Sequence, residues 1–172
     1  MKRRQSIYRT HYTLMDELVA SPTKPLPDNK RIVHMTKIHQ ALGAMISDDA
    51  ATTDDWRVVS DIVNMIETLT THAGGHWPDC DGDLIHMKDE TGLLLEAMTA
   101  MAVCGKRHVG GEKIRLDEAG ANALRAIVGS YEDVISALPE RSMIKCHRLT
   151  ERRMQEILQG RRRAHDVELV AI

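Results

Sequence analysis

Phenylalanine is absent from the 172 residues, and tryptophan and tyrosine bring the aromatics to only 3%. The interior must therefore be built from Leu, Ile, Val and Ala together with ten flexible Met, a composition that favours packed helices over sandwiches. Cysteine is also scarce: Cys80, Cys104 and Cys146 are an odd number with no C-x-x-C pair and no secretory leader before them, so a disulfide framework is not expected. A reducing compartment is the expected setting. Apolar runs are only a handful of residues, against roughly 20 needed to cross a bilayer, which excludes an integral membrane protein. There is no internal repeat, no low-complexity tract, no phosphate-cradling G-x-x-x-x-G-K-[ST] and no H-E-x-x-H.

What remains is ordinary for a chain that folds alone: 42% hydrophobic and 28% charged residues, enough for one domain with its own core. The formal net charge of −2 hides a segregation. Residues 48–99 hold twelve Asp and Glu against Arg57 and Lys88, whereas 141–165 hold eight Lys and Arg against Glu151 and Glu156, and 1–9 hold Lys2, Arg3, Arg4 and Arg9 with no acid. Such asymmetry points to a charged partner, protein or nucleic acid.

Three-and-four spacing predicts about five helices in an all-α bundle. Ile32, Met35, Ile38, Leu42, Met45 and Ile46 define one over 30–47, with Asp28 or Asn29 as its N-cap. A second begins at Thr52, where Asp55 three residues later completes a capping box; it carries Trp56, Val59, Ile62, Val63, Ile66 and Leu69 inward and ends at Gly74-Gly75. A third is predicted from Leu84 to Val103 after a loop over 74–82. Leu93 and Val103 broaden its apolar face, and Leu93 to Leu95 cannot all face one core, so it is central or meets a second subunit in a homodimer. A fourth runs over 117–138 until Pro139, and a shorter fifth starts from a Thr150 cap and closes at Gly160. Residues 113–116 alternate, and could pair with 167–172 as a small two-stranded element. The domain plan is a basic arm and Pro-rich loop over 1–29, a bundle over 30–160 and a basic tail over 161–172.

Candidate chemistry is concentrated after the second helix. His72, His76, Cys80 and His86 have the donor types of a tetrahedral zinc shell, and a metal-dependent enzyme is one alternative. Gly74-Gly75 lies inside the His72/His76 spacing, however, and opposes a continuous helical turn there. Asp79, Asp81, Asp83 and Glu90 match the acidic positions of a calcium loop, but Leu84 stands where that loop needs Gly, so a solvated acidic turn is expected. Cys104 and Cys146, the latter beside His147, read as idle thiols because no nucleophile elbow or oxyanion loop accompanies them. The glycine-rich stretch Gly105–Gly111 reads as an inter-helix loop, although its amides could meet a phosphate. Arg148, Arg152, Arg153, Arg161, Arg162 and Arg163 could neutralise nucleic-acid phosphates in an accessory or regulatory protein, with no helix-turn-helix to read bases. Asp48, Asp49, Asp54, Asp55 and Asp61 form an acidic patch that could contact a protein partner, imitating nucleic acid.

The strings Tyr8-Arg9, Ile38-His39-Gln40-Ala41-Leu42, Ala51-Thr52-Thr53-Asp54-Asp55, Asn64-Met65-Ile66-Glu67-Thr68-Leu69 and Ile114-Arg115-Leu116, which together span most of residues 8–158, give the chain a layout similar to small helical proteins encoded by phages and prophages of proteobacteria. The Gly74–Asp83 loop departs from that layout. The resemblance implies context and no residue roles: a non-enzymatic accessory protein in the cytoplasm of a bacterial host that binds a host protein or defence complex, in the manner of an anti-defence or anti-CRISPR inhibitor. Nucleic acid is the other expected partner class, and neither a membrane nor a cofactor is expected.

Overall fold

A computed structural model of the chain describes residues 11–47, 51–89 and 92–161. Among the described residues six α-helices follow one another: α1 (Leu14–Val19), α2 (Asp28–Ile46), α3 (Thr53–Thr71), α4 (Leu93–Val109), α5 (Glu118–Ala137) and α6 (Glu140–Leu158). Between α3 and α4 lies a small antiparallel hairpin of β1 (His76–Pro78) and β2 (Leu84–His86). The fold is a mainly-α bundle with one small β element, as the spacing predicts.

Local chemistry sets the helix starts. Thr52 and Asp55 form the predicted capping box: the Thr52 Oγ1 accepts from the Asp55 amide at 3.2 Å while the Asp55 carboxylate accepts from the Thr52 amide at 2.8 Å. Thr13 and Asp16 repeat the device at α1. Asp117 caps α5 by accepting from the Gly120 amide at 2.8 Å. Helix α2 differs from expectation: Pro27 occupies its N-cap position without a side-chain bond, and Asp28 lies in the first turn, paired with Arg31 at 2.8 Å.

Helix α3 is the hub, packing against α2, α4, α5 and α6. Its long buried stripe requires this, because residues on nearly every side of it from Val59 to Leu69 are covered. Two tryptophans anchor it. Trp56 donates its indole N–H to the Met101 carbonyl at 3.1 Å, and Trp77 donates to the Leu69 carbonyl at 2.8 Å, so each large ring is buried with its polar handle satisfied. Met35, Met45, Met65, Met98, Met101 and Met143 fill the space that Phe would occupy elsewhere.

Two predicted elements are corrected. The third helix begins at Leu93, not Leu84, because Leu84-Ile85-His86 pairs as a strand with His76-Trp77-Pro78, with Gly75 at φ 77° and Gly82 at φ 90° allowing the chain to reverse. Ile114 makes an isolated bridge to Ala51, and the segment 167–172 expected to pair with 113–116 lies outside the described residues. Helix α6 starts at Glu140, so Pro139 both ends one helix and opens the next, while Thr150 lies mid-helix and buried. That helix was hidden in the sequence because its inward face includes Ser142, Thr150 and Arg153, which break the apolar stripe.

The segment before α2 is a strap. Lys24 and Ser21 carbonyls accept from the amides of Glu140 (2.8 Å) and Arg141 (3.0 Å), and Pro25 bridges Pro139. No helix among the described residues is long and apolar enough to cross a membrane.

Candidate functional site

The hairpin separates the proposed metal ligands. His76 and His86 are cross-strand partners with rings stacked 4.3 Å apart, whereas His72 packs against Trp77 at 5.5 Å and Cys80 donates its thiol to the Ala137 carbonyl at 3.3 Å. Stacked imidazoles hold their nitrogen lone pairs in parallel planes, so the two rings do not converge on one point. Among the described residues no group of three or more His, Cys, Asp or Glu is placed to hold a metal ion. The acidic turn is closed by its own amides: the Asp79 carboxylate accepts from Asp81 and Asp83, each at 2.9 Å, which occupies the first oxygen of the calcium-loop pattern. Glu90 lies outside the described residues.

The predicted basic patch is largely neutralised from within. Arg153 is buried in an ion pair with Glu67 and donates to the Asn64 carbonyl at 3.1 Å. Arg148 pairs with Glu17, and Arg152 with Glu156 at 2.9 Å. Arg161 is exposed, and Arg162 and Arg163 lie outside the described residues. The sequence groups Arg153 with arginines that could meet phosphates, because its long-range partner Glu67 cannot be seen in a charge tally. In the acidic patch, Asp55 is engaged as a cap and Asp54 is paired with Arg57 at 3.2 Å, while Asp48 and Asp49 lie outside the described residues.

Between α2, α3, α5 and α6 the sequence reading missed a polar seam. His34 meets the Tyr131 hydroxyl at 2.9 Å, and Thr150 donates to Thr68 Oγ1 at 2.7 Å. Burial pushes His34 down to about 4, with the His147 and Lys37 charges adding to the shift. Burial also lowers His147, whose ring abuts Tyr12 edge-on at 5.0 Å. Asp61 lies open along one edge, yet the surrounding protein desolvates its carboxyl and raises it to about 6; Arg57 opposes the rise and Glu151 reinforces it. Cys146 sits in the same seam with its thiol pushed up to about 12 by burial and directed at the Met65 carbonyl, so its neighbour His147 does not make it a nucleophile. Cys104 is likewise buried and raised.

No protein-family model, curated protein or solved structure matches the chain. Its function has to be argued from its own surfaces.

Among the described residues, an open groove of about 530 Å³ lies between α4 and the start of α5. Leu95, Thr99 and Val103 recur every four residues along one wall, Ala100 and Gly120 form the floor, and Leu116 closes an end. Gly120 lets α4 and α5 approach closely at this floor: a Cβ there would lie 2.7 Å from the Ala100 Cβ. Leu116 is pinned by its amide bonding to the Met45 carbonyl at 2.9 Å. Leu95 and Val103 remain 59% and 44% exposed. Glu96, Asp117 and Arg107 supply the polar rim, and Arg107 is steadied by donating to the Arg115 carbonyl at 3.2 Å. The supposed loop Gly105–Gly111 is helical to Val109, with only Gly110 and Gly111 turning away, so it cradles no phosphate. Leu93 to Leu95 divide as the sequence demands: Leu94 is buried, Leu93 half-buried and Leu95 exposed.

Proposed function

We propose that this chain is a non-enzymatic accessory protein of phage or prophage origin that binds a host protein or complex through the α4/α5 groove, in the manner of an anti-defence inhibitor. The carrying observation is the groove itself: apolar walls left exposed on rigid helices, with a few oriented charges at the rim, are what a protein contact needs. The exposed Leu95 and Val103 stand ready as the apolar centre, and Glu96 and Asp117 fix orientation. The phage setting rests on the resemblance in layout. The buried Cys104 and Cys146 thiols, both raised by burial, support a binding role over a nucleophilic one.

The test is site-specific photo-crosslinking in a bacterial host, with the crosslinker at Leu95 or Val103 and, as control, at Lys145 on α6. One host protein captured from both groove positions and not from Lys145 is the expected result. Its affinity for the purified chain should fall at least about tenfold on Val103→Asp, the scale expected for an apolar anchor. Equal capture at all three positions, or affinity indifferent to Leu95→Asp and Val103→Asp, would refute the reading.

A further inference from the structure

Glu96 and Arg107 stand three helical turns apart on α4, so both leave the same face of the helix, about 16 Å from one another. Among the described residues neither is in an ion pair. Arg107 donates to the Arg115 carbonyl and keeps its Nε buried without a hydrogen-bond partner, and Glu96 is exposed. Asp117, the other acid of the rim, is occupied by the Gly120 amide. Between the two charges the same face carries Val103 and, on the groove floor, Ala100, with Leu95 and Thr99 flanking them. An occupant that suits this groove is a helix with aliphatic side chains at its centre, an acid for Arg107 and a base for Glu96, three turns apart. Helix α4 has that chemistry itself.

We propose that, in the resting protein, the groove of the host-binding role is filled by α4 of a second copy, the two helices lying antiparallel in a twofold dimer. Turning one α4 end for end about a midpoint between Ala100 and Val103 sets Glu96 of each copy level with Arg107 of the other, and Val103 of each over the Ala100 floor of the other. A twofold contact requires such self-complementarity, since one patch must serve as both partners. Parallel packing fails, because it sets Glu96 against Glu96 and Arg107 against Arg107. The antiparallel pair also takes the exposed Leu95 and Val103 out of water. Nucleic acid would meet Glu96 with like charge, and an alkyl ligand would leave Glu96 without a base. A helix of 17 residues offers a strip about 25 Å by 10 Å, well under the roughly 800 Å² per partner of a tight complex, so the dimer exchanges readily and yields the groove to a host protein.

Sedimentation equilibrium of the full chain from about 2 to 200 µM should show the mass rising from one chain toward two, as a small interface demands. Glu96→Arg and Arg107→Glu, each with its helical circular dichroism unchanged, should each associate at least about tenfold more weakly. An equimolar mixture of the two variants should pair again, because every charge contact in the mixed dimer is then between opposite signs. A photo-crosslinker at Val103, with Arg107 left native, should join two chains at Ala100 or one turn from it. The proposal is overturned by a chain that stays monomeric throughout, by dimerisation that both variants leave intact, by a mixture that fails to pair, or by Val103 crosslinks to any element other than α4 and the start of α5. A monomeric chain that still captures a host protein at Leu95 sinks the dimer alone, whereas a dimer with no host protein captured sinks the host-binding role alone.

Discussion

Arg153 on α6 reaches across to Glu67 on α3, and the pair is buried where the two helices meet. Around it, Thr150 bonds Thr68, and the Arg153 guanidinium also holds the Asn64 carbonyl. Cutting one partner leaves the other charged and out of water. Arg153→Met should therefore destabilise the fold by about 3 kcal/mol, and Glu67→Gln by a similar amount. Combining Arg153→Met with Glu67→Leu should cost clearly less than the sum of Arg153→Met and Glu67→Leu alone, as urea unfolding in a double-mutant cycle will show.

The seam also sets the acid response. His34 and His147 have folded-state values below 6.5, so the unfolded chain takes up protons more readily, and the stability they contribute above pH 6.5 is lost as pH falls toward about 4. Asp61 works the other way: raised from 3.8 to about 6, it favours the folded state as pH drops through that window. Two imidazoles against one carboxyl predict a net fall in melting temperature between pH 6.5 and 4. His34→Gln should reduce that fall by about 5 °C, while Asp61→Asn should deepen it; melts at stepped pH will show both.

Thiol accessibility separates the three cysteines. Cys104 and Cys146 are buried and Cys80 half-buried, its thiol raised by desolvation and by the Asp79 and Asp81 carboxylates. Ellman's reagent at pH 8 should titrate one thiol, slowly, in the native protein and all three in guanidinium chloride. Cys80→Ser should reduce the native count to zero.

Two glycines are dictated by space. A Cβ on Gly75, already at φ 77°, would lie 2.4 Å from the Met87 carbonyl oxygen, a backbone atom that cannot swing aside as the end of a flexible side chain can. Gly75→Ala should cost about 3 kcal/mol and disrupt the hairpin, whereas Gly82→Ala, with open space around it, should cost about 1 kcal/mol for its φ alone. Gly120→Ala should cost about 2 kcal/mol and wedge α4 from α5, read as a lowered melting temperature and a groove that no longer crosslinks at Leu95.

Helices whose inward face is apolar were legible: Trp56 to Leu69 announces α3, Leu124 to Leu138 announces α5, and Thr52 with Asp55 marks a start to the residue. Helix α6 was legible only in part, because Thr150 and Arg153 point inward and satisfy each other's surroundings through residues more than eighty positions away. The hairpin was missed since Leu84 and Ile85 also fit a helical stripe, and only Gly75 and Gly82 reveal the reversal. The groove was half-visible. Leu95 and Val103 exceed what a single stripe can bury, but the floor beside them depends on the close approach of Ala100 to Gly120, on a different helix.

The strap has a consequence for biosynthesis. Lys24, Ser21 and Leu18 leave the ribosome more than a hundred residues before Glu140 and Arg141, whose amides and guanidinium fasten them. The strap must wait, unfastened, until α6 leaves the exit tunnel. A premature stop before residue 140 would thus free the strap as surely as it removes α6.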